Sequence, residues 1–122
     1  MIDDPTILAT IEASAGRHGP TSRVAMFGGT AVLLDGNMVA ALSPRGLLLR
    51  VGRDQHASAL ARPGTRPMEM RGKPMEGYVF ADPATLDADG LALWVDMAVG
   101  YVASLPGKAA RKTRGARPTA GS

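Results

Sequence analysis

Residues 23–51 read RVAMFGGTAVLLDGNMVAALSPRGLLLRV. Four short apolar runs, 24–27, 31–34, 38–42 and 47–51, are separated by Gly28-Gly29, Asp35-Gly36-Asn37 and Pro44-Arg45-Gly46. Asp-Gly and Gly-Asn supply the positive φ angles that tight hairpins need, so the stretch predicts four antiparallel strands in a meander. Upstream, Asp4-Pro5 marks a helix start, with a capping carboxylate and a proline where no N–H is required. Ile7, Leu8, Ile11 and Ala15 then recur at helical spacing until Gly16. Downstream, Asp54 caps a second helix carrying Ala57, Leu60 and Ala61, which Pro63-Gly64 ends. Alternation in Met68-Glu69-Met70-Arg71 and again from Met75 to Phe80, across Gly72-Lys73-Pro74, predicts a second hairpin. A last helix starts near Asp87 and carries Leu91, Trp94, Val95, Ala98, Val102 and Leu105 as one stripe.

The order α-β-β-β-β-α-β-β-α has no βαβ alternation. It predicts an α+β fold of two layers, an antiparallel sheet with helices on one face. With 122 residues, 45% apolar and 20% charged, the chain has room for one core and a globular composition. The net charge of +3 is unevenly spread. Residues 1–106 hold nine basic and eleven acidic residues, whereas 107–122 hold Lys108, Arg111, Lys112, Arg114 and Arg117 and no acid. The expected organisation is a folded domain over 1–106 and a basic, disordered tail over 107–122, which has no large apolar residue to offset its ordering entropy.

Several chemistries fail on residue type. With no cysteine there is no disulfide, thiolate metal site or thiol nucleophile. No apolar run approaches the roughly 20 residues of a membrane span, and Asp3-Asp4 is the wrong charge for a secretory leader, so a cytoplasmic protein is expected. Gly28-Gly29 precedes a strand and lacks a nearby lysine, which points to a turn or bulge and away from a phosphate loop or a methyl-donor site. Asp35-Gly36-Asn37 lacks the further oxygen ligands of a calcium loop. His18 and His56 have no ligand-spaced neighbours, and Asp54, His56 and Ser58 within one helical turn do not reach relay geometry. No catalytic residue, metal site or cofactor is expected, and the chain reads as a non-enzyme.

The motifs carry a family resemblance. Met26-Phe27-Gly28-Gly29, 33–38 (LLDGNM), 49–52 (LRVG), 61–64 (ARPG) with Arg66-Pro67-Met68, 72–75 (GKPM) with Gly77-Tyr78, and finally Trp94-Val95 and Ser104-Leu105-Pro106 follow one another in an order that resembles the TfoX (Sxy) N-terminal domain. The resemblance covers about 5–106. It implies a two-layer α+β fold similar to that of secretion chaperones. It also implies a link to DNA-uptake competence, in which full-length relatives act as transcriptional coactivators beside the catabolite activator protein. Those relatives carry a second, helical domain, where this sequence has only the short basic segment.

Two surfaces remain as candidates. By simple alternation one face of the meander carries Val24, Met26, Val32, Leu34, Met38, Ala40, Leu42, Leu47, Leu49 and Val51. The other carries Ala25, Phe27, Ala31, Leu33, Val39, Ala41 and Leu48. Both are apolar, and helices on one side leave the second face for a homodimer, another protein partner, the flank of the tail or a misplaced helix. The second candidate is cationic. Arg50 interrupts an apolar strand, and is either a solvent-facing residue paired with Glu69 or Glu76 or part of an anion-binding patch with Arg66 and Lys73. The five tail charges either solubilise the chain or give weak, salt-sensitive nucleic-acid contact without base stacking. The leading expectation is a regulatory protein-interaction domain, the alternative a nucleic-acid binder.

Overall fold

The computed structural model describes residues 2–26 and 28–105. The proposed tail and Phe27 lie outside the described residues. Helix α1 (Asp4–Ala15) is followed by β1 (Thr21–Met26), β2 (Gly29–Leu34), β3 (Asn37–Ser43), β4 (Gly46–Arg50), α2 (Arg53–Leu60), β5 (Thr65–Met70) and β6 (Lys73–Ala81). A short 3-10 turn (Pro83–Thr85) then leads into α3 (Ala88–Ala103). The predicted order of helices and strands is the observed one.

Local chemistry sets most of the boundaries. Asp3, one residue earlier than expected, caps α1, its carboxylate accepting from the Thr6 N–H at 3.1 Å. That contact holds the Asp3 carboxyl below the ordinary range. Asp87 caps α3 by accepting from the Gly90 N–H at 2.7 Å. Helix α2 corrects the expectation at Asp54: Gly52 stands at its N-cap, with no side-chain cap, and Asp54 sits in the first turn. The β2–β3 turn places Asp35 at φ 51° and Gly36 at φ 80°, and the β5–β6 turn places Arg71 at 55° and Gly72 at 78°. Both are two-residue connections with the positive φ values that match strand twist.

The sheet order is β1-β2-β3-β4-β6-β5, with every neighbouring pair antiparallel. After β4 the chain crosses through α2 to the far edge and returns as β6 beside β4. Edge strand β5 carries Pro67 and an irregularity next to it, features that blunt an edge against further pairing.

Two apolar clusters lie on opposite sides of the sheet. The larger one joins all three helices, through Ile7, Ile11, Ala59, Leu91, Trp94, Val95 and Val102, to Val32, Leu34, Val39, Leu47, Leu49 and Val79. The smaller one draws only on strands: Ala31, Ala41, Leu48, Met68 and Phe80, with Val24, Met26, Met38, Met75 and Tyr78 packed around them.

The face assignment by simple alternation needs correction at five residues. Val32 pairs with Ala40 but Leu33 with Met38, so Val39 is an extra residue in β3. This bulge turns Val39 inward beside Ala40 and sends Met38 to the reverse side. Val24 pairs with Ala31 and Met26 with Gly29, so both also lie on the reverse side. Ala25 alternates to the helix side, where it is exposed at the β1 edge.

Candidate functional site

The reverse face is built by β1–β4, β6 and β5, and no helix crosses it among the described residues. Of the seven residues expected there, Ala31, Ala41 and Leu48 form its centre but are each buried in the isolated chain, and half-buried Leu33 alternates onto it from β2. Val39 is fully buried under the helices and unavailable to a partner. The reading of 24–51 alone missed Met68, Met75, Tyr78 and Phe80. These enter because β6 lies against β4, with Leu48 opposite Phe80 and Arg50 opposite Tyr78. The alternation in 68–71 and 75–80 was the available signal, but the meander alone does not show which strand pairs with β4.

Arginines lie across this face. The Arg45 guanidinium, from the β3–β4 turn, sits 5.0 Å from the centre of the Phe80 ring, and that of Arg66, from β5, sits 4.7 Å from the same ring. Arg66 Nη2 also donates to the Arg45 carbonyl oxygen. Such cation–π contacts cover Phe80, which is 3% exposed. Arg50 lies 5.8 Å from each of the Tyr78 and Tyr101 rings. It pairs with neither Glu69 nor Glu76; Glu76 instead meets Arg53 at 3.2 Å, and both of those are exposed. The expected patch of Arg50, Arg66 and Lys73 is not one cluster. Arg66 stands with Arg45, Arg50 stands between two tyrosines, and Lys73 sits at the β5–β6 tip opposite Met70. Lys108, Arg111, Lys112, Arg114 and Arg117 lie outside the described residues.

Seven of the acids lie on the long helices or cap them, and four, Asp35, Glu69, Glu76 and Asp82, lie on the strands or the loops beside them. Asp4, Glu12, Asp54, Asp89 and Asp96 lie on the three helices, with Asp3 and Asp87 as caps. On that side Arg23 makes a double contact with Glu12, Nε to Oε2 and Nη2 to Oε1 at 2.7 Å each. The hydrogen bonds from Arg23 hold the Glu12 carboxyl below its ordinary range and raise the Arg23 guanidinium. Arg45, Arg50 and Arg66 have no carboxylate partner among the described residues.

The residues weighed for catalysis make other contacts. The Gly77 N–H donates to His56 Nδ1 at 3.0 Å, which fastens α2 to β6. Ser58 Oγ donates to the Gln55 carbonyl, so no relay through His56 exists. No group of three His, Cys, Asp or Glu is placed to hold a metal, and no helix is long and apolar enough to cross a membrane. A cleft of about 570 Å³ beside the start of α1 is lined by Asp4, Leu8, Arg23, Gly29, Thr30 and Leu42, and its one arginine is already bound to Glu12. The glycines at its rim are structural. Gly28 has φ 76°, and a Cβ on Gly29 would stand 1.9 Å from the Leu42 carbonyl oxygen.

Fold and site together define a two-layer α+β domain whose antiparallel sheet leaves an apolar, arginine-bordered face without a helical cover. The family model for the TfoX N-terminal domain matches residues 14–101, and the chain belongs to that family. A search of curated protein sequences finds no significant match to this chain.

Proposed function

We propose that the domain is a non-catalytic interaction module that regulates transcription through protein contacts, in a role like that of competence regulators of its family. The reading requires a cytoplasmic location. One observation carries it: a second apolar cluster, on the side of the sheet opposite all three helices, made of strand residues alone and surrounded by partly buried Met26, Met38, Met75 and Tyr78. The centre of the cluster is buried, and the partly buried Met26, Met38, Met75 and Tyr78 around it are what a partner would touch; methionines adapt to irregular partner surfaces.

Site-specific photocrosslinking in the native cell tests the reading. A photoreactive residue at Met38 is expected to capture a component of the transcription machinery, and one at Leu93, exposed on α3, is not. Equal capture at both positions, or none at Met38, would refute it. A second reading, nucleic-acid binding, draws on Arg45, Arg50 and Arg66, which have no carboxylate partner among the described residues, and on the five basic residues of 107–122. A salt-sensitive gel shift that removal of 107–122 abolishes would favour it.

A further inference from the structure

We propose that the reverse face docks an acidic, apolar segment of another protein, with a carboxylate of that segment held between Arg45 and Arg66 above Phe80. This rests on the interaction reading above and names the chemistry of the partner.

The Arg45–Arg66 pair has binding capacity left over in the isolated chain. Two guanidinium groups share one aromatic ring, at 5.0 and 4.7 Å from its centre, and neither meets a carboxylate among the described residues. The ring quadrupole attracts each cation without neutralising its charge. Each guanidinium has five N–H donors, and between them one bond to the Arg45 carbonyl is made. Both residues are exposed, so their remaining donors are open to solvent and accessible to a carboxylate from outside.

The surroundings select a protein segment. Met38, Met75, Val24, Met26 and Tyr78 lie partly buried around the centre of the face and offer contact to apolar side chains. A phosphate backbone would use the arginines and leave these groups uncovered. Phe80, at 3% exposure beneath two guanidiniums, offers no open ring for base stacking. A second copy docked face to face with its axis near these residues would set Arg45 and Arg66 against their own equivalents. Residues 107–122, with five basic residues and no acid, have the same sign. Arg45 and Arg66 meet no carboxylate among the described residues, so acidic charge from a partner matches this part of the face.

The test is a nuclear magnetic resonance titration of the full, isotope-labelled chain with three amphipathic peptides of equal length. The first alternates Glu with Leu and Met, the second replaces Glu by Lys, and the third replaces Leu and Met by Ser. A single-stranded and a duplex oligonucleotide complete the set. The first peptide is expected to shift the amides of Gly46, Arg66 and Phe80, to bind more weakly as salt rises, and to lose about tenfold in affinity in the Arg45→Gln, Arg66→Gln variant. The salt series on the unaltered chain, and Arg45→Gln alone, keep the test decisive should the double variant fold poorly. Equal binding of the Glu and Lys peptides on the reverse face would overturn the acidic assignment while leaving a docking face in place. Tighter binding of an oligonucleotide at Arg45 and Arg66, or salt-sensitive self-association that outcompetes the acidic peptide, would overturn it in favour of nucleic acid or of a second copy. Peptide shifts confined to the helices would overturn this proposal and the docking reading together.

Discussion

Gly28 and Gly29 are adjacent, yet replacing each by alanine should fail for different reasons and by different amounts. At Gly28 the backbone has φ 76° and a Cβ would meet nothing within 4 Å. The cost is conformational alone, about 1–2 kcal/mol for an L-residue held left-handed, reduced by about 0.5 kcal/mol because alanine also restricts the unfolded chain. At Gly29 the obstacle is backbone: the Cβ would stand 1.9 Å from the Leu42 carbonyl oxygen and 2.8 Å from the Ser43 Cα. No rotamer change relieves it, so β2 and β3 must part where Thr30 faces Leu42. Overpacking costs about 1–3 kcal/mol, and a broken ladder bond adds about 1 kcal/mol, giving about 3 kcal/mol for Gly29→Ala against about 1 kcal/mol for Gly28→Ala. At about 4–8 °C per kcal/mol for a domain of this size, thermal unfolding followed by circular dichroism should show Gly28→Ala lowered by about 4–8 °C and Gly29→Ala by about 12–24 °C. A Gly29→Ala protein as stable as Gly28→Ala would refute the close-approach argument. It would also reopen the reading of this pair as a binding loop.

The β3 bulge makes neighbouring residues unequal. Val39→Asp should abolish cooperative folding, because it buries a carboxylate under the helices, while Met38→Asp should cost about 1 kcal/mol in urea unfolding and leave the fold intact; the opposite ranking would mean the bulge is absent. Glu12→Gln should cost about 0.2–1 kcal/mol near neutral pH by removing the double contact with Arg23. The Glu12 carboxyl is held below its ordinary value of 4.5 in the folded state, so its contribution is complete above that pH and fades as pH falls further. The difference between Glu12→Gln and the unaltered protein should therefore shrink in acid, and a difference that grows there would contradict the pairing.

The element order was legible because turn chemistry is local. Asp35-Gly36 and the glycines at 28, 46 and 72 mark their turns in the sequence and adopt positive φ in the structure. Faces were less legible. Parity along β3 fails at Val39, where one inserted residue reverses Val39 and Met38 while Ala40, Ala41 and Leu42 keep their assigned faces, and nothing in 38–42, five apolar residues in a row, marks the insertion. The reverse face was half visible. Ala31, Ala41 and Leu48 follow from alternation, but Met68 and Phe80 join them only through the β4–β6 pairing, a long-range contact made after a helical crossover. The cationic residues were legible as types and not as groups. Arg50 reads as a break in an apolar run, yet its tyrosine neighbours come from β6 and α3, and the partnership of Arg45 with Arg66 over Phe80 joins three segments that no local pattern connects.

Trp94 is the single tryptophan and lies buried in the helix-side core, with the Arg62 guanidinium 5.4 Å from its ring. The molecule thus carries its one strong intrinsic fluorophore on the layer away from the proposed docking face. Emission will report detachment of α2 or α3 and stay silent when the opposite layer is occupied. A ligand that leaves the tryptophan spectrum unchanged has therefore not been shown to be a non-binder, and screens of this domain need a dye placed near Met38 or an optical-mass method instead.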